Sequence, residues 1–451
     1  MCSSDPDLRA RHALTFLAYD EKFLAGSWRF LTYFGRDTLL SLRLLMPVLT
    51  PRAIEAGLGS VLDRLSAEGD VAHEEEVGEF PSLRRALTPG LPGKGAEPLH
   101  DYKMVDDDFL LAPVLARYLL DTPDGRTHAQ AFLARQTPGG RSYAEALLAN
   151  LARVQKAATP FAAAPGTRTL IALQEGSPVG EWRDSTEGLG LGRYAYNVNA
   201  ALVPAALDAA ARLLDSPLLE GESAQAHALA EAWRDAGRFF QVELPREEAE
   251  RRLRAHAAEV GGVPLAGAVS SLEGPLRFHA ISLDEQGVPV PVMHSDDGFV
   301  LLFTRPSPDA LVETLRRVLA PYPAGLLTPV GMLVANPAFA ESASLRALFT
   351  RDRYHGTVVW SWQQALFAAG LAEQLERKDL PAEARAAVLN AQTALWTAID
   401  ATRELRTSEL WSWTLEKGAF RVQPFGQGAS HADESNAAQL WSTVYLAVKR
   451  P

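Results

Sequence analysis

Apolar residues recur at three- and four-residue steps along most of this 451-residue chain, which is the spacing of one helix face. The clearest example is 202–214, where leucine, valine and alanine form a single apolar stripe. Residues 305–319 repeat the pattern after Ser307, a residue type that often caps helices. We predict helices in these two segments and in 36–66, 105–120, 128–155, 224–256, 367–375 and 381–399.

One segment departs from the helical spacing. Residues 276–303 carry β-branched and aromatic residues around Gly287, which predicts a short hairpin or a small sheet. About a dozen helices joined by long loops favour helices paired into a closed ring, with a site built from the loops. No linker divides the chain, so we predict a single domain over 1–451. The loops are predicted at 67–104, 157–200, 259–300, 320–360 and 416–436.

The charge balance limits the choice of partners. The formal net charge is −11, and no basic stripe is present that would neutralise phosphates, which argues against a nucleic-acid partner. A neutral ligand such as a sugar suits this balance better. No apolar run approaches the length that spans a bilayer, so we predict no transmembrane segment. The sequence leaves the oligomeric state open.

The single cysteine, Cys2, excludes an intrachain disulfide framework. That is compatible with a cytoplasmic protein. Its position directly after Met1 also fits a chain whose natural first residue is a lipid-carrying cysteine, which would place the protein at the cell envelope. Both interpretations stay open.

Residues 180–207 combine a polar turn with a helix start. Trp182, Arg183 and Asp184 stand in the turn, and an apolar run begins at about Asn197. An indole face can stack on a pyranose ring, and a partly desolvated acid can protonate a glycosidic oxygen. An aspartate in a turn is also typical of a helix cap, so Asp184 alone does not establish catalysis.

Other loops carry the same mixture of aromatic residues, carboxylates, Arg or His, and glycine just ahead of an apolar helix. Each has a structural alternative: Arg36 and Asp37 can form a buried ion pair, Asp106 can cap a helix, and Trp360 can be a core aromatic. It is their number that favours a functional site. These loops are 33–38, 73–80, 101–110, 326–332, 354–362 and 421–442.

The motifs FGRDT, DYKMVD, EWRDS, RYAYNVNAALVPAAL, LLTPVGM, YHGTVVWSW and AAQLWS occur in this order. Together they resemble the C-terminal glucosidase domain of glycogen debranching enzymes, a six-hairpin glycosidase. The resemblance implies an all-α (α/α)6 barrel and inverting hydrolysis of α-linked glucosyl oligo- or polysaccharides. It places the general acid at Asp184. It also implies sugar-binding positions at Arg36, Asp37, Tyr102, Asp106, Trp182, His355 and Trp360.

The chain departs from this family at the general base. The family has a glutamate roughly eighteen positions before the final Trp-Ser, and counting back from Trp441 arrives at Gln423. A neutral amide cannot take a proton from water, and general-base assistance is worth roughly 10²–10⁴ in rate. Glu434, further along the same loop, is one replacement. The glutamates at 74–76, across the ring, are others.

Several familiar signatures are missing from the sequence. We find no phosphate-binding glycine loop with a following lysine and no serine nucleophile elbow. No two histidines stand at metal-ligand spacing, and we predict neither a metal nor a cofactor. The run 293–297 can attract a hard cation but is more typical of a solvated turn.

Three functions follow from these residues. The first is a glycoside hydrolase with Asp184 as the acid. The second is a carbohydrate-binding protein on the same scaffold, catalytically weakened because Gln423 stands at the base position. The third is phosphorolysis, which needs cations near Gln423, and the sequence offers Lys417, Arg421 and His431 there.

Overall fold

The computed structural model describes residues 8–27, 30–427, 435 and 438–450. Cys2, His431 and Glu434 lie outside the described residues. The helices, numbered α1 to α16, are Leu8–Leu17, Gly35–Leu45, Pro51–Leu62, Phe80–Leu87, Val105–Ala116, Pro123–Leu133, Tyr143–Ala163, Val203–Asp215, Ala224–Trp233, Arg246–Val260, Ala266–Ser270, Asp297–Phe303, Pro308–Val318, Ala343–Ala347, Ser361–Leu375 and Ala382–Ala401. The strands, numbered β1 to β14, are Glu74–Glu76, Leu99–Asp101, Tyr194–Ala195, Gln241–Leu244, Leu276–His279, Ser282–Leu283, Pro289–Val290, Met293–His294, Leu327–Thr328, Gly331–Met332, Ala335–Asn336, Val359–Trp360, Leu410–Glu416 and Ala419–Pro424.

Six helical segments of the described chain form an inner ring, in which each contacts the next. In order these are α2, α5, α8 with the π-helical turn Val198–Leu202 before it, α12, α15, and the 3-10 helix Leu440–Leu446. The last segment contacts α2 and closes the ring. An outer layer surrounds it: α3 packs on α2, α7 on α5, α9 on α8, α16 on α15 and α1 on Leu440–Leu446, while α13 lies beside α16. The predicted all-α (α/α)6 toroid is confirmed.

The burial pattern explains which helices lie inside. Helix α15 is buried on nearly every side, including the polar residues Ser361, Gln363 and Gln364, as expected for a helix surrounded by others. Helix α13 buries a stripe that includes Leu311 and Leu315 and exposes its other face. One connected cluster of buried apolar side chains joins the two layers. Within the described residues, no helix has both the length and the apolar character needed to cross a membrane.

Three of the predicted helical runs are each divided into two helices. The run 36–66 breaks ahead of Pro51, which begins α3 because a first-turn proline loses no helical hydrogen bond. The run 128–155 breaks before Ser142, which opens α7 with a capping box. The run 224–256 is interrupted by β4, which pairs with β5.

The hairpin predicted around Gly287 is present as β6 and β7, but the strand-rich segment ends earlier than expected. Strands β5 to β8 lie within 276–294, whereas Asp297–Phe303 forms the inner helix α12. A short apolar run has the same pattern in a buried strand and a buried helix, which explains the error. A second sheet, β12–β13–β14, was not predicted: β13 and β14 form a hairpin whose second strand lies in the expected loop 416–436.

Candidate functional site

The first turns of the inner helices and the loops before them meet at one end of the ring. Arg36, in the first turn of α2, bonds to Asp106, in the first turn of α5. It also bonds to Asp184, in the loop that precedes α8. The structure therefore brings together three residues that the sequence places 70 and 148 positions apart.

Arg36 is the cation around which these carboxylates gather. Its Nη2 lies 2.8 Å from Asp184 Oδ2 and its Nη1 lies 3.4 Å from Asp106 Oδ2. The side chains of Arg36 and Asp106 are buried, whereas that of Asp184 is 32% exposed. Asp184 is therefore the member of this cluster that a ligand can reach.

Glycine at position 35 allows α2 to start in this place. The Gly35 N–H donates to the His73 carbonyl at 2.8 Å, which holds the first turn of α2 against the loop 71–73. A Cβ on Gly35 would lie 2.4 Å from the Ala72 carbonyl oxygen and 2.9 Å from Asp107 Oδ1. Arg36 can reach its partners because its neighbour has no side chain.

Burial shifts the acids behind Arg36 toward their neutral forms. Burial raises the pKa of Asp106 to about 7, although the charge of Arg36 opposes the shift. It raises the pKa of Asp107 to about 8, and Asp107 Oδ2 lies 2.8 Å from His73 Nδ1. Burial lowers the pKa of His73 to about 3, so this imidazole is neutral at pH 7. Near pH 7 the Asp107 carboxyl is therefore mostly protonated and that of Asp106 is partly protonated.

Asp37 lies among three other carboxylates. It is buried, and no hydrogen bond to its side chain is found among the described residues. Burial raises its pKa well above the usual value; Arg36 opposes this, while the charges of Asp184, Asp107 and Glu409 add to it. Asp184 and Glu409 thus lie close enough to one carboxyl for both charges to act on it.

Glu409 is the site residue that the sequence did not reveal. It lies directly before β13 and is buried. The Tyr354 hydroxyl donates to its Oε1, and Gln439 Nε2 donates to the same oxygen at 2.8 Å. No motif marks Glu409, although a carboxylate just ahead of the alternating run LWSW could have indicated a strand end that carries an acid.

The two tryptophans of the site are buried beneath its polar residues and are not exposed at its surface. Trp182 is fully buried, and its Nε1 donates to Asp296 Oδ1 at 3.2 Å. Trp360 is 1% exposed and stacks on His355 with ring centroids 5.2 Å apart. The Trp182 ring has no exposed face in this structure, and its stacking on a pyranose stays a prediction. Both tryptophans contact buried polar residues: Trp182 donates to Asp296, and Trp360 packs against His355.

Tyr102 lies on the wall of the same end of the ring. It is half-buried, and its hydroxyl donates to the Arg64 carbonyl at 3.0 Å. Its own carbonyl accepts from Gln174 Nε2 at 2.8 Å. Neither contact involves Arg36 or Asp184, and sugar binding by Tyr102 stays a prediction.

Among the described residues, no hydrogen bond joins Gln423 to another of the predicted site residues. Gln423 lies on β14 opposite Ser412, and its Nε2 donates to the Gln427 carbonyl at 3.2 Å. Lys417 and Arg421, two of the cations that phosphorolysis would use, are exposed on the same hairpin. Gln423 as the base position stays a prediction.

Two of the three glutamates at 74–76 are engaged in ion pairs. Glu75 is buried and lies 2.8 Å from Lys22 and 3.0 Å from Arg64. Glu76 lies 2.6 Å from Arg84. Glu74 is half-buried on β1, and burial raises its pKa. The charges with the largest effect on the Glu74 pKa are those of Lys103, Asp101, Glu76 and Arg84. A β-bridge to Phe34 places Glu74 beside the start of α2, and its role as a base stays a prediction.

Asp296 and Asp297 do not form the solvated turn that the sequence predicted. Both are buried at the start of α12. Asp296 is paired with Arg183, and Asp297 accepts from the Tyr196 hydroxyl at 2.6 Å. Among the described residues, no group of three His, Cys, Asp or Glu side chains is arranged to hold a metal ion.

Comparison with known proteins identifies the fold. No protein-family model matches the chain, and no curated protein matches its sequence significantly. Solved structures do match. GH63 mannosylglycerate hydrolase from Thermus thermophilus in complex with glucose has a TM-score of 0.56 at 13% identity, covering 98% of this chain and 98% of that chain.

The same hydrolase matches in two further complexes. With Tris the TM-score is 0.54 at 13% identity, covering 97% of this chain and 98% of that one. With Tris and D-glycerate it is 0.52 at 13% identity, covering 98% of both chains. At this level of identity the likeness shows the toroidal fold alone. The resemblance to the debranching-enzyme glucosidase domain stays a prediction.

Proposed function

We propose that the protein is a glycoside hydrolase that acts on α-linked sugars by an inverting mechanism, with Asp184 as general acid and Glu409 as general base. One observation carries the proposal: Asp184 and Glu409 both lie near Asp37, at the end of the ring where the inner helices begin. Two separated carboxyls at one ligand site are what glycoside inversion requires.

Asp184 suits the role of acid because one of its oxygens is held and the side chain is partly exposed. Arg36 holds Oδ2, and Oδ1 lies 3.8 Å from His355 Nε2. In the reaction the bond from the anomeric carbon to the glycosidic oxygen breaks, and that oxygen takes the proton of the Asp184 carboxyl.

Glu409 suits the role of base because two donors on Oε1 orient its carboxylate. A water oxygen bonds to the anomeric carbon, and the proton that this water loses goes to Glu409. This assignment replaces Gln423. It also removes the main argument for a carbohydrate-binding protein without activity, because that argument depended on an amide at the base position.

Asp37 contacts the sugar in this proposal. Burial raises the pKa of this carboxyl and so favours its protonated form, which can donate to one sugar hydroxyl and accept from another. Arg36 and Asp106 act behind it by holding Asp184 in place.

Hydrolysis of a sugar panel by the purified protein tests the proposal. The panel contains maltooligosaccharides and isomaltooligosaccharides, which the family resemblance implies, and mannosylglycerate, after which the structural neighbour is named. Reducing-sugar release should fall at least about 100-fold in Asp184→Asn and in Glu409→Gln. The exposed carboxylates Asp235 and Glu416 provide matched controls, and Asp235→Asn and Glu416→Gln should keep wild-type rates.

Two outcomes would contradict the proposal. Wild-type turnover in Asp184→Asn or Glu409→Gln would remove the acid or the base from its assigned place. Calorimetric binding of a panel sugar by the wild-type protein without hydrolysis of any member would favour the carbohydrate-binding alternative instead.

A further inference from the structure

Two consecutive side chains contact the two different catalytic carboxyls. The Tyr354 hydroxyl donates to Glu409 Oε1. The next residue, His355, places its Nε2 3.8 Å from Asp184 Oδ1. The proposed base and acid therefore come from distant parts of the chain, yet they are connected through one dipeptide.

His355 has an unpartnered nitrogen that faces the acid. The residue is 1% exposed, and its Nδ1 lies 2.9 Å from Ser185 Oγ. Its Nε2 makes no hydrogen bond in the described structure. A buried polar atom without a partner is unfavourable and needs an explanation. Catalytic hydrogen bonds are often long without substrate and tighten in the complex, which explains the 3.8 Å separation from Asp184.

The imidazole of His355 is neutral. Burial lowers its pKa well below the usual value, and the charges of Arg183 and Arg36 act in the same direction, whereas an interaction with the Trp182 backbone opposes the shift. When the Ser185 hydroxyl donates to Nδ1, the ring proton stands on Nε2 and points to Asp184. In that tautomer the neutral ring acts on Asp184 as a hydrogen-bond donor and not as a second cation.

One indole fixes both side chains of the dipeptide. The Trp360 ring is nearly parallel to His355, at an interplanar angle of 7°, and meets Tyr354 edge-on with centroids 4.9 Å apart. Trp360 Nε1 also donates to the Tyr354 carbonyl at 2.9 Å. The turn ends at Gly356, where a Cβ would lie 2.1 Å from the Thr350 carbonyl oxygen. Both side chains are thus held in a single orientation.

We infer that Tyr354 and His355 are positioning residues that set the distance between the base Glu409 and the acid Asp184. The inference rests on the proposed function, because it concerns the same reaction. Inversion needs a separation of about 6.5–9.5 Å, so that a water molecule fits between the carboxyls. Because Tyr354 and His355 are held rigidly and each faces one of the two carboxyls, together they fix the distance between those carboxyls.

Positioning of the acid by His355 and positioning of the base by Tyr354 have different chemical consequences. Departure of an alcohol leaving group needs the acid, whereas fluoride leaves with its bonding electrons without being protonated. Attack by water needs the base with either leaving group. Loss of acid positioning should therefore slow hydrolysis of a glycoside and spare that of a glycosyl fluoride, and loss of base positioning should slow both.

The experiment measures kcat and KM for maltose and for α-D-glucosyl fluoride, or for the glycoside and fluoride of whichever sugar the panel releases. His355→Leu should lower kcat for the glycoside about 10- to 100-fold and change the fluoride rate less than about threefold. His355→Gln, which keeps an N–H group near the Nε2 position, should recover part of the loss. Tyr354→Phe should lower kcat for both substrates about tenfold without raising KM. The exposed Tyr19 and His227 provide the controls Tyr19→Phe and His227→Gln.

The ratio of the fluoride rate to the glycoside rate within one variant does not depend on how much of the protein is folded. Equal losses on both substrates in His355→Leu would overturn the acid half of the inference, because a merely structural role would produce them. An unchanged kcat in Tyr354→Phe would overturn the base half. If the wild-type protein hydrolyses neither substrate and no member of the panel, the proposed function itself fails.

Discussion

Replacement of Arg183 tests how much the buried ion pair between Arg183 and Asp296, beneath the site, contributes to the stability of the protein. The side chains of Arg183 and Asp296 are completely buried, with Nε and Nη2 donating to the aspartate at 3.1 and 2.9 Å. The guanidinium also lies over the Trp182 ring, 4.3 Å from its centroid. Arg183→Met leaves the buried Asp296 without its guanidinium partner, and breaking a buried ion pair in this way destabilises a protein by about 3–5 kcal/mol.

Chemical unfolding followed by tryptophan fluorescence measures this loss of stability. The double variant Arg183→Met/Asp296→Asn should recover about half of the loss, because the asparagine oxygen still accepts from Trp182 Nε1 and the buried charge is gone. The control Arg353→Met removes a partly exposed ion pair, 3.4 Å from Glu187, and should cost less than about 1 kcal/mol. A loss below about 1 kcal/mol in Arg183→Met, or a double variant no more stable than the single one, would refute the reasoning.

Three further predictions follow from the site. The pKa of Asp107, raised by burial to about 8, means that the folded protein binds more protons than the unfolded chain between about pH 4 and 8, so this group lowers stability as the pH rises. The thermal midpoint of Asp107→Asn should therefore fall less than that of the wild type between pH 5 and 8, and an equal fall would contradict the assignment. Gly35→Ala should lower kcat at least about tenfold, because its Cβ meets the Ala72 carbonyl oxygen at 2.4 Å and displaces Arg36; unchanged kinetics would show that the turn adapts. Gln423→Ala should keep kcat within about twofold of the wild type, and a loss as large as that of a catalytic variant would return the base to that position.

Much of the fold could be predicted from the sequence because the longer helices, such as α5, α8 and α16, each have their own pattern of apolar residues. The predictions were wrong where the local pattern is ambiguous. Residues 297–303 are too few to show a helical period, and the strand β4 within 224–256 is defined by its pairing with β5. Their structure is fixed by tertiary contacts, which a window of local sequence does not contain.

The candidate site was predicted in part. The family resemblance named Arg36, Asp106 and Asp184, and these do lie together. Glu409 could not be found in this way, because its place depends on the pairing of Trp360 with Leu410 across two strands that are far apart in the sequence. That register places Glu409 beside the start of α15, where its carbonyl accepts from the Ser361 N–H.

Aromatic residues next to polar ones are ambiguous in the sequence. Trp182 beside Asp184 suggested a sugar platform, but a buried tryptophan needs an acceptor for its N–H, and Asp296 supplies it. The same sequence pattern therefore fits a platform and a core equally well. Only the burial of the ring distinguishes them.

The most direct test of the central claim is a proton NMR time course of hydrolysis of an α-linked panel sugar, followed from the first turnovers before the anomers equilibrate. With Asp184 as the acid and Glu409 activating water on the opposite face of the sugar, the β-anomer should appear first. Initial release of the α-anomer would mean retention of configuration, and it would contradict the assignment of this pair of carboxyls.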